Sequence, residues 1–139
     1  MFRKRKKPTE VAGLDEIEQL AAEGKPVLID FFQFGCNSCR VMDGIVNELA
    51  DEYAGSAHFV KVNVGRVPGV IERYAIRSTP TFVLLGRSQK KPSKKARKRS
   101  GGAPAAMPAH SPRWRASGLV RKDVLSKVLE SNGAVRAGR

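Results

Sequence analysis

Cys36 and Cys39 are the only cysteines in the chain, and two residues separate them. They follow a nearly all-apolar run, Val27 to Phe32, which is typical of a buried strand, and they precede residues with helical periodicity. The N-terminus of a helix concentrates unpaired N–H groups and partial positive charge, which favour a thiolate over a thiol. Two thiols at this spacing can also close into a disulfide with little backbone movement. The pattern therefore favours redox chemistry.

A structural disulfide or a zinc site is the alternative for the same spacing. A zinc ion held by one chain needs four ligands, and besides the cysteines the chain offers only the histidines His58 and His110. His58 lies in or beside a predicted strand, and His110 lies in a segment predicted to be disordered. We therefore expect no metal site within one chain, while a zinc shared across a dimer stays an open alternative.

Length and composition bound the class of protein. A chain of 139 residues has room for one domain with a real core. No apolar run approaches the roughly 18 residues that a membrane helix needs. The basic N-terminus is not followed by an apolar stretch, so we expect no export signal and no membrane span. These features favour the cytoplasm, where a cysteine pair is more often catalytic or metal-binding than a permanent cross-link.

The formal charge of +13 is unevenly spread. Residues 1–86 carry 11 basic and 11 acidic residues, whereas residues 87–139 carry 15 basic and 2 acidic residues. The stretch 87–112 contains none of Val, Ile, Leu, Phe, Tyr or Trp, so we expect a disordered basic insertion there. We also expect a disordered basic arm over 1–8 and a disordered tail over 133–139. Such charge can bind nucleic acid or an anionic membrane surface in a salt-sensitive way, but the insertion has no aromatic side chains to stack on bases.

Hydrophobic periodicity predicts alternating strands and helices between these segments. The helix after the cysteines is expected to reach Gly55, to bury Val41, Ile45, Val46, Leu49 and Tyr53, and to be weakened at Gly44. The remaining predictions are helix 14–23, strand 27–32, strand 58–64, a short helix within 67–74, strand 82–85, strand 114–117 and a final helix that buries Val120, Val124, Leu125, Val128 and Leu129. This order implies an α/β fold whose sheet has parallel members.

The flanks of the cysteines resemble the thioredoxin family. The run from Pro26 to Phe32, the C-N-S-C motif, the Lys-Val-Asn beginning at Lys61 and the Ser-Thr-Pro-Thr around Pro80 match its motifs. The resemblance covers about 9–86 and 113–132, so it implies a thioredoxin-like domain over 9–132, interrupted by the insertion at 87–112. It implies a central mixed sheet of about four strands flanked by helices, with the first strand short or missing.

The sequence departs from the family pattern beside the cysteines. Gly35 stands where the family has a tryptophan, and Ser38 and Gly44 stand where it has prolines. The fold and the dithiol chemistry tolerate these changes. The substrate and the reduction potential do not carry over from the family.

The resemblance implies a role for each cysteine. Cys36, at the more exposed position, would be the attacking thiolate, and Cys39 would be the resolving thiol that breaks the mixed disulfide. Asp30 lies in an apolar strand, where an unpaired carboxylate is costly, so its pKa should rise and fit it to exchange protons with Cys39. The resemblance pairs Asp30 with Lys61 on the next strand. The alternative is that Asp30 faces solvent at a strand end.

A substrate groove is the second part of what the resemblance implies. Pro80 would follow a cis peptide bond and face the disulfide, and the backbone of Thr79 would pair with an extended substrate. Gly118 would let a partner backbone approach, with a simple turn glycine as the alternative. Phe34 would supply contact area beside Cys36, with a packing role as the alternative.

The resulting hypothesis is a monomeric, cytoplasmic thiol–disulfide oxidoreductase that serves redox homeostasis and electron transport. The family implies no bound cofactor, protein disulfides as substrates, and electrons from NADPH through a thioredoxin reductase-like partner. The alternative is a thioredoxin-fold binding module whose basic segments dock nucleic acid or an acidic partner.

Overall fold

A computed structural model describes residues 5–86 and 110–137 of the chain. Within these ranges the secondary structure consists of β1 (Thr9–Glu10), α1 (Leu14–Ala21), β2 (Val27–Phe32), α2 (Asn37–Glu52), β3 (His58–Asn63), α3 (Val70–Tyr74), β4 (Thr81–Gly86), β5 (Ser111–Ser117) and α4 (Lys122–Ser131). Each predicted element is present, and β2 has the bounds that its apolar run indicated. The α/β class is therefore confirmed.

The five strands form one mixed sheet in the order β1-β3-β2-β4-β5. Strands β1, β3 and β2 are parallel, whereas β4 is antiparallel to both β2 and β5. The sheet has one strand more than the expected four because the two-residue β1 pairs with β3. The first strand is short, as predicted.

Strand register brings three chain segments together at one end of the sheet. Thr81, the first residue of β4, lies opposite both Phe31 near the end of β2 and Ser117 at the end of β5. The chain leaves β2 toward the cysteines at this same end, which we call the cysteine end. The segments that carry Cys36, Pro80 and Gly118 are therefore neighbours in space although they are far apart in sequence.

Helices cover the two faces of the sheet. One apolar cluster joins α1 and α3 to side chains such as Ile29 and Val83, and the other joins α2 and α4 to side chains such as Leu28 and Leu84. Because side chains alternate along a strand, Asp30 shares the face of Leu28. Asp30 therefore points toward α2, the helix that begins at the cysteines.

The buried face of α2 differs in part from the predicted one. Val41 was expected to be buried, but 61% of it is exposed, and Met42 is buried in its place. The reason is the phase of the helix, because its inward residues recur at intervals of three and four. These residues are Cys39, Met42, Val46, Leu49 and Tyr53. The helix also runs without interruption through Gly44.

Three segments predicted to be disordered are partly ordered. Strand β5 begins at Ser111, so residues 110–112 belong to the fold rather than to the insertion.

In the predicted tail, Ala134 is buried and the N–H of Ala137 donates to the carbonyl of Glu52 at 2.6 Å. In the predicted arm, the N–H of Lys6 donates to the carboxylate of Asp51 at 3.1 Å. These backbone groups gain protein partners, which the local sequence does not reveal. The predictions for 1–4, 87–109 and 138–139 lie outside the described residues.

Candidate active site

Cys36 and Cys39 form a disulfide at the start of α2, with their Cα atoms 5.2 Å apart. Cys36 is the N-cap residue, and its Sγ accepts a hydrogen bond of 3.1 Å from the N–H of Cys39. The Cys36 side chain is half-buried, whereas only 5% of Cys39 is exposed. An incoming disulfide can therefore reach Cys36 more easily than Cys39, and the helix N-terminus stabilises negative charge on the Cys36 sulfur.

The entry to β4 forms a second part of the site. The Thr79–Pro80 peptide bond is cis, as expected, and Pro80 is buried. The hydroxyl of Thr81 lies 2.7 Å from the carbonyl oxygen of Ser78 and 2.9 Å from the hydroxyl of Ser117. These bonds join the Thr79–Pro80 segment to the end of β5.

Gly118 completes the same end of the sheet. Its N–H donates to the carbonyl of Pro80 at 2.8 Å, and its φ of +84° is a left-handed conformation that favours glycine. A Cβ placed on Gly118 would meet no atom within 4 Å. Gly118 therefore has the conformation of a turn glycine, and its backbone is open on the side where a Cβ would stand, while its contact with a partner backbone stays a prediction.

Asp30 lies on the face of β2 that is turned toward α2 and is almost completely buried. Only 1% of it is exposed, and neither of its carboxylate oxygens has a hydrogen-bond partner among the described residues. Burial raises the pKa of Asp30 from its ordinary 3.8 to about 7, against the opposing attraction of the Lys61 ammonium. The negative charge of Asp43 adds to the increase. The solvent-facing alternative for Asp30 is therefore wrong.

Lys61 lies opposite Asp30 on the next strand, as the resemblance implied, and its positive charge acts on the Asp30 carboxyl, but no hydrogen bond joins the two side chains. Its Nζ atom lies 2.9 Å from Oδ1 of Asp43. The same Nζ atom lies 4.7 Å from the centroid of the Phe32 ring. Sequence reasoning missed Asp43, although its position four residues after Cys39 places both on one face of α2.

Phe34 is exposed rather than packed. Its side chain is 73% exposed and lies two residues before Cys36. The guanidinium of Arg66 lies 5.1 Å from the centroid of its ring. Of the two readings of Phe34, the structure favours an apolar contact surface beside the disulfide.

The histidines lie away from the cysteines. Nε2 of His58 lies 3.1 Å from Oε1 of Glu23, and Nε2 of His110 lies 2.9 Å from the carbonyl oxygen of Lys25. His58 is opposite Val27, at the end of the sheet remote from the cysteine end. Within residues 5–86 and 110–137, no three His, Cys, Asp or Glu side chains form a group that could hold a metal ion. In the same ranges, no helix is long and apolar enough to cross a membrane.

An accessible sulfur at a helix start, a shielded partner sulfur and a buried carboxyl on the strand that leads to them fit a site for thiol–disulfide exchange on an α/β fold. The thioredoxin family model matches residues 10–106. The chain therefore belongs to the thioredoxin family.

Curated relatives agree with this assignment over part of their length. The chain is 42% identical to Thioredoxin 1 of Nostoc sp. over 65 residues, which are 47% of this chain and 61% of that protein. It is 39% identical to the chloroplastic Thioredoxin M-type of Brassica napus over 67 residues, which are 48% of this chain and 38% of that protein. These alignments span between about a third and two thirds of the relatives.

Solved structures show the same fold. A mutant thioredoxin from Halobacterium salinarum superposes with a TM-score of 0.70 and 21% identity, covering 97% of this chain and 98% of that one. The thioredoxin of Malassezia sympodialis also gives a TM-score of 0.70, with 19% identity, covering 96% of this chain and 97% of that one. At these identities the likeness concerns the fold alone.

Proposed function

We propose that this chain is a protein-disulfide reductase that works through the Cys36–Cys39 dithiol. The observation that carries the proposal is the placement of a half-exposed cysteine at the N-terminus of α2 with a shielded cysteine one turn further in. No finding supports the alternative of a binding module with incidental cysteines.

The first step is attack by the Cys36 thiolate on a substrate disulfide. A bond forms between the Cys36 sulfur and one substrate sulfur, the substrate S–S bond breaks, and the other substrate sulfur leaves as a thiolate that takes up a proton. The N–H of Cys39, which lies 3.1 Å from the Cys36 sulfur, stabilises the attacking anion. Helix position and hydrogen bonding thus favour Cys36 as the nucleophile.

The second step releases the reduced substrate. Cys39 loses its proton, its sulfur attacks the Cys36 sulfur, and the mixed disulfide breaks so that the second substrate thiolate leaves. Two electrons and two protons have then passed to the substrate, and the Cys36–Cys39 disulfide has formed. The disulfide in the structure corresponds to this product state.

Asp30 is the proton acceptor for Cys39 in this scheme. Its raised pKa of about 7 keeps both the carboxylate and the carboxylic acid populated near neutral pH. Its burial and lack of hydrogen bonds to the described residues leave its oxygens free to accept a proton from inside the protein. In the reverse direction the protonated carboxyl returns the proton to the Cys39 thiolate.

The substrate is an extended peptide segment that carries a disulfide. The backbone of Thr79 and the open face of Gly118 lie at the cysteine end, where a strand-like segment can pair with them. Exposed Phe34 supplies apolar contact area next to the reactive sulfur.

Sustained turnover needs an external reductant that returns the disulfide to the dithiol. We assign this role to an NADPH-linked reductase, as the family implies, and place the activity in the reducing cytoplasm. Purified chain, NADPH and a thioredoxin reductase test this part directly: NADPH oxidation should depend on both proteins and on an added protein disulfide.

Insulin reduction tests the proposed function. With dithiothreitol as the reductant, the full chain should accelerate insulin precipitation and Cys36→Ser should abolish the acceleration. Cys39→Ser, reduced beforehand and freed of dithiothreitol, should accumulate a mixed disulfide between Cys36 and insulin, visible by mass spectrometry, because neither the resolving thiol nor an added thiol is present to release it. Lys127→Ala, an exposed change on α4, serves as the control with unchanged turnover. Wild-type turnover by Cys36→Ser would contradict the proposal.

A further inference from the structure

Asp43 is an acidic side chain of α2 that has no part in the proposed exchange steps. It lies four residues after Cys39, on the face of α2 that meets the sheet. Its Oδ1 atom is 2.9 Å from Nζ of Lys61, and the two side chains are 39% and 23% exposed. The pair therefore lies near the surface, whereas Asp30 is buried.

Lys61 lies between two possible acidic partners. Strand register sets its backbone opposite Asp30, yet its ammonium bonds to Asp43 and rests on the Phe32 ring. The oxygens of Asp30 receive no hydrogen bond from any described residue. The long lysine side chain is thus directed to the helix, so its ammonium attracts the buried carboxyl without forming a hydrogen bond to it.

We propose that Asp43 is a positioning residue that keeps the Lys61 ammonium from hydrogen bonding to Asp30 and so sets the pH range in which Asp30 exchanges a proton with Cys39. This inference rests on the proposed function for the role of Asp30. The charged groups that act on Asp30 are Lys61 from β3 and Asp43 from α2. Phe82, its partner on β4, carries no charge, and the residues of α4 in the shared core are apolar or uncharged.

Removing the Asp43 charge should move Lys61 toward the buried acid. Asp43→Asn deprives the ammonium of its anionic partner on α2, and Asp30 is its register neighbour. An opposite charge within about 4–6 Å lowers the pKa of a carboxyl by about one to three pH units. We therefore expect the titration midpoint of Asp30 to fall by about one pH unit or more in Asp43→Asn.

Carbon-13 NMR titration of the Asp30 carboxyl in the oxidised full chain measures this directly. Glu48→Gln is the matched control, since it removes the same charge from the same helix but its carboxylate bonds to Lys122. Glu48→Gln should leave the Asp30 midpoint unchanged, and Asp43→Glu should restore it. The acidic limb of the pH–rate profile for release of the Cys36–substrate mixed disulfide should move with the midpoint.

The same titration in a Lys61→Met chain separates an effect of Asp43 through the lysine from a direct effect of its charge on Asp30. If Asp43 acts through the lysine, Asp43→Asn should shift the Asp30 midpoint in the wild-type chain but by less than a third as much in Lys61→Met. An equal shift in both backgrounds, or no shift in the wild-type background, would overturn the proposal. The NMR titration needs no turnover, so its result is independent of the insulin assay that tests the proposed function.

Discussion

Asp30 is a carboxyl group held in an apolar layer without a hydrogen bond to any described residue. Folding removes it from water, and the charged form loses much more solvation than the neutral form. The protein therefore binds a proton at Asp30 in a pH range where the unfolded chain does not. The same property that fits Asp30 to proton transfer makes it unfavourable for stability.

The first prediction at this scale concerns Asp30→Asn. Because each tenfold change in proton affinity corresponds to about 1.4 kcal/mol, a pKa displaced from 3.8 to about 7 corresponds to about 4 kcal/mol. Between these two values the folded state binds more protons than the unfolded state, so stability due to Asp30 falls as pH rises through this window. Asp30→Asn should thus raise the free energy of unfolding at pH 8 by up to about 4 kcal/mol, with little change at pH 4.

Urea unfolding of the oxidised chain at both pH values measures the effect. The chain at pH 4 serves as its own control, because Asp30 is then protonated in the native state. A gain of equal size at pH 4 and pH 8 would show that the stabilisation comes from packing and not from the charge.

The reactive residues could be predicted from the sequence because their signals are local. Two cysteines at a strand–helix junction and an acid within an apolar strand are visible in a few consecutive residues. The role of Asp43 could not be predicted in this way, because it depends on the direction in which the long Lys61 side chain turns. That direction is set by packing between β3 and α2.

At the scale of elements, α2 contains a glycine that its geometry does not require. Gly44 lies in the middle of the helix, has no positive φ, and a Cβ placed there would meet no atom within 4 Å. Glycine in a helix interior is less favourable than alanine by about 1 kcal/mol. Gly44→Ala should therefore raise the free energy of unfolding by about 1 kcal/mol, without loss of insulin reduction.

Gly133→Ala is the matched comparison for this change. Its surroundings are equally open, but its φ of +100° lies in the region that favours glycine. Urea unfolding should show that Gly133→Ala lowers the free energy of unfolding while Gly44→Ala raises it. Destabilisation by Gly44→Ala would mean that the helix needs flexibility at this position.

The positions of the helices and strands along the chain could be predicted from the sequence more closely than the side of each helix that is buried. The apolar run of β2 determined both of its ends, since it is flanked by Pro26 on one side and polar Gln33 on the other. The prediction of which side chains of α2 are buried was partly wrong, because Val41 and Met42 are adjacent and both apolar. Which of them faces inward depends on where the helix begins.

At the scale of the whole molecule, residues 133–137 follow α4 and pack against the end of α2 and the turn after it. Ala134 is buried, Arg136 donates to the Tyr53 hydroxyl at 3.1 Å, and Ser56 Oγ donates to the carbonyl of Val135 at 2.8 Å. A net contribution of about 1 kcal/mol for each such hydrogen bond is typical. Residues 133–137 are thus part of the folded domain.

Truncation after Asn132 tests this assignment. We expect the free energy of unfolding to fall by about 2–4 kcal/mol, given one lost buried side chain and four lost hydrogen bonds to residues 52–56, of which the two that join Val135 and Ser56 are exposed. Val135→Ser, which alters a side chain that is 68% exposed, should change it little. Urea unfolding of the three chains gives the comparison, and equal stability of the truncated and full chains would show that the segment contributes nothing.

This segment could not be recognised from its own sequence. It is short and has no hydrophobic periodicity, and its partners Glu52, Tyr53 and Ser56 lie about 80 positions earlier in the chain. Only the meeting of α2 and α4 creates the surface on which it rests.

The long stretch of sequence between the paired strands β4 and β5 has a consequence for engineering. Strand β4 starts at the cysteine end with Thr81 and runs six residues to Gly86, and β5 resumes beside it at Ser111. At about 3.3 Å per residue, both attachment points lie about 20 Å from the cysteine end. A fluorescent protein or an affinity handle grafted between them would join the molecule at the end of the sheet opposite its reactive sulfur and leave Cys36 accessible.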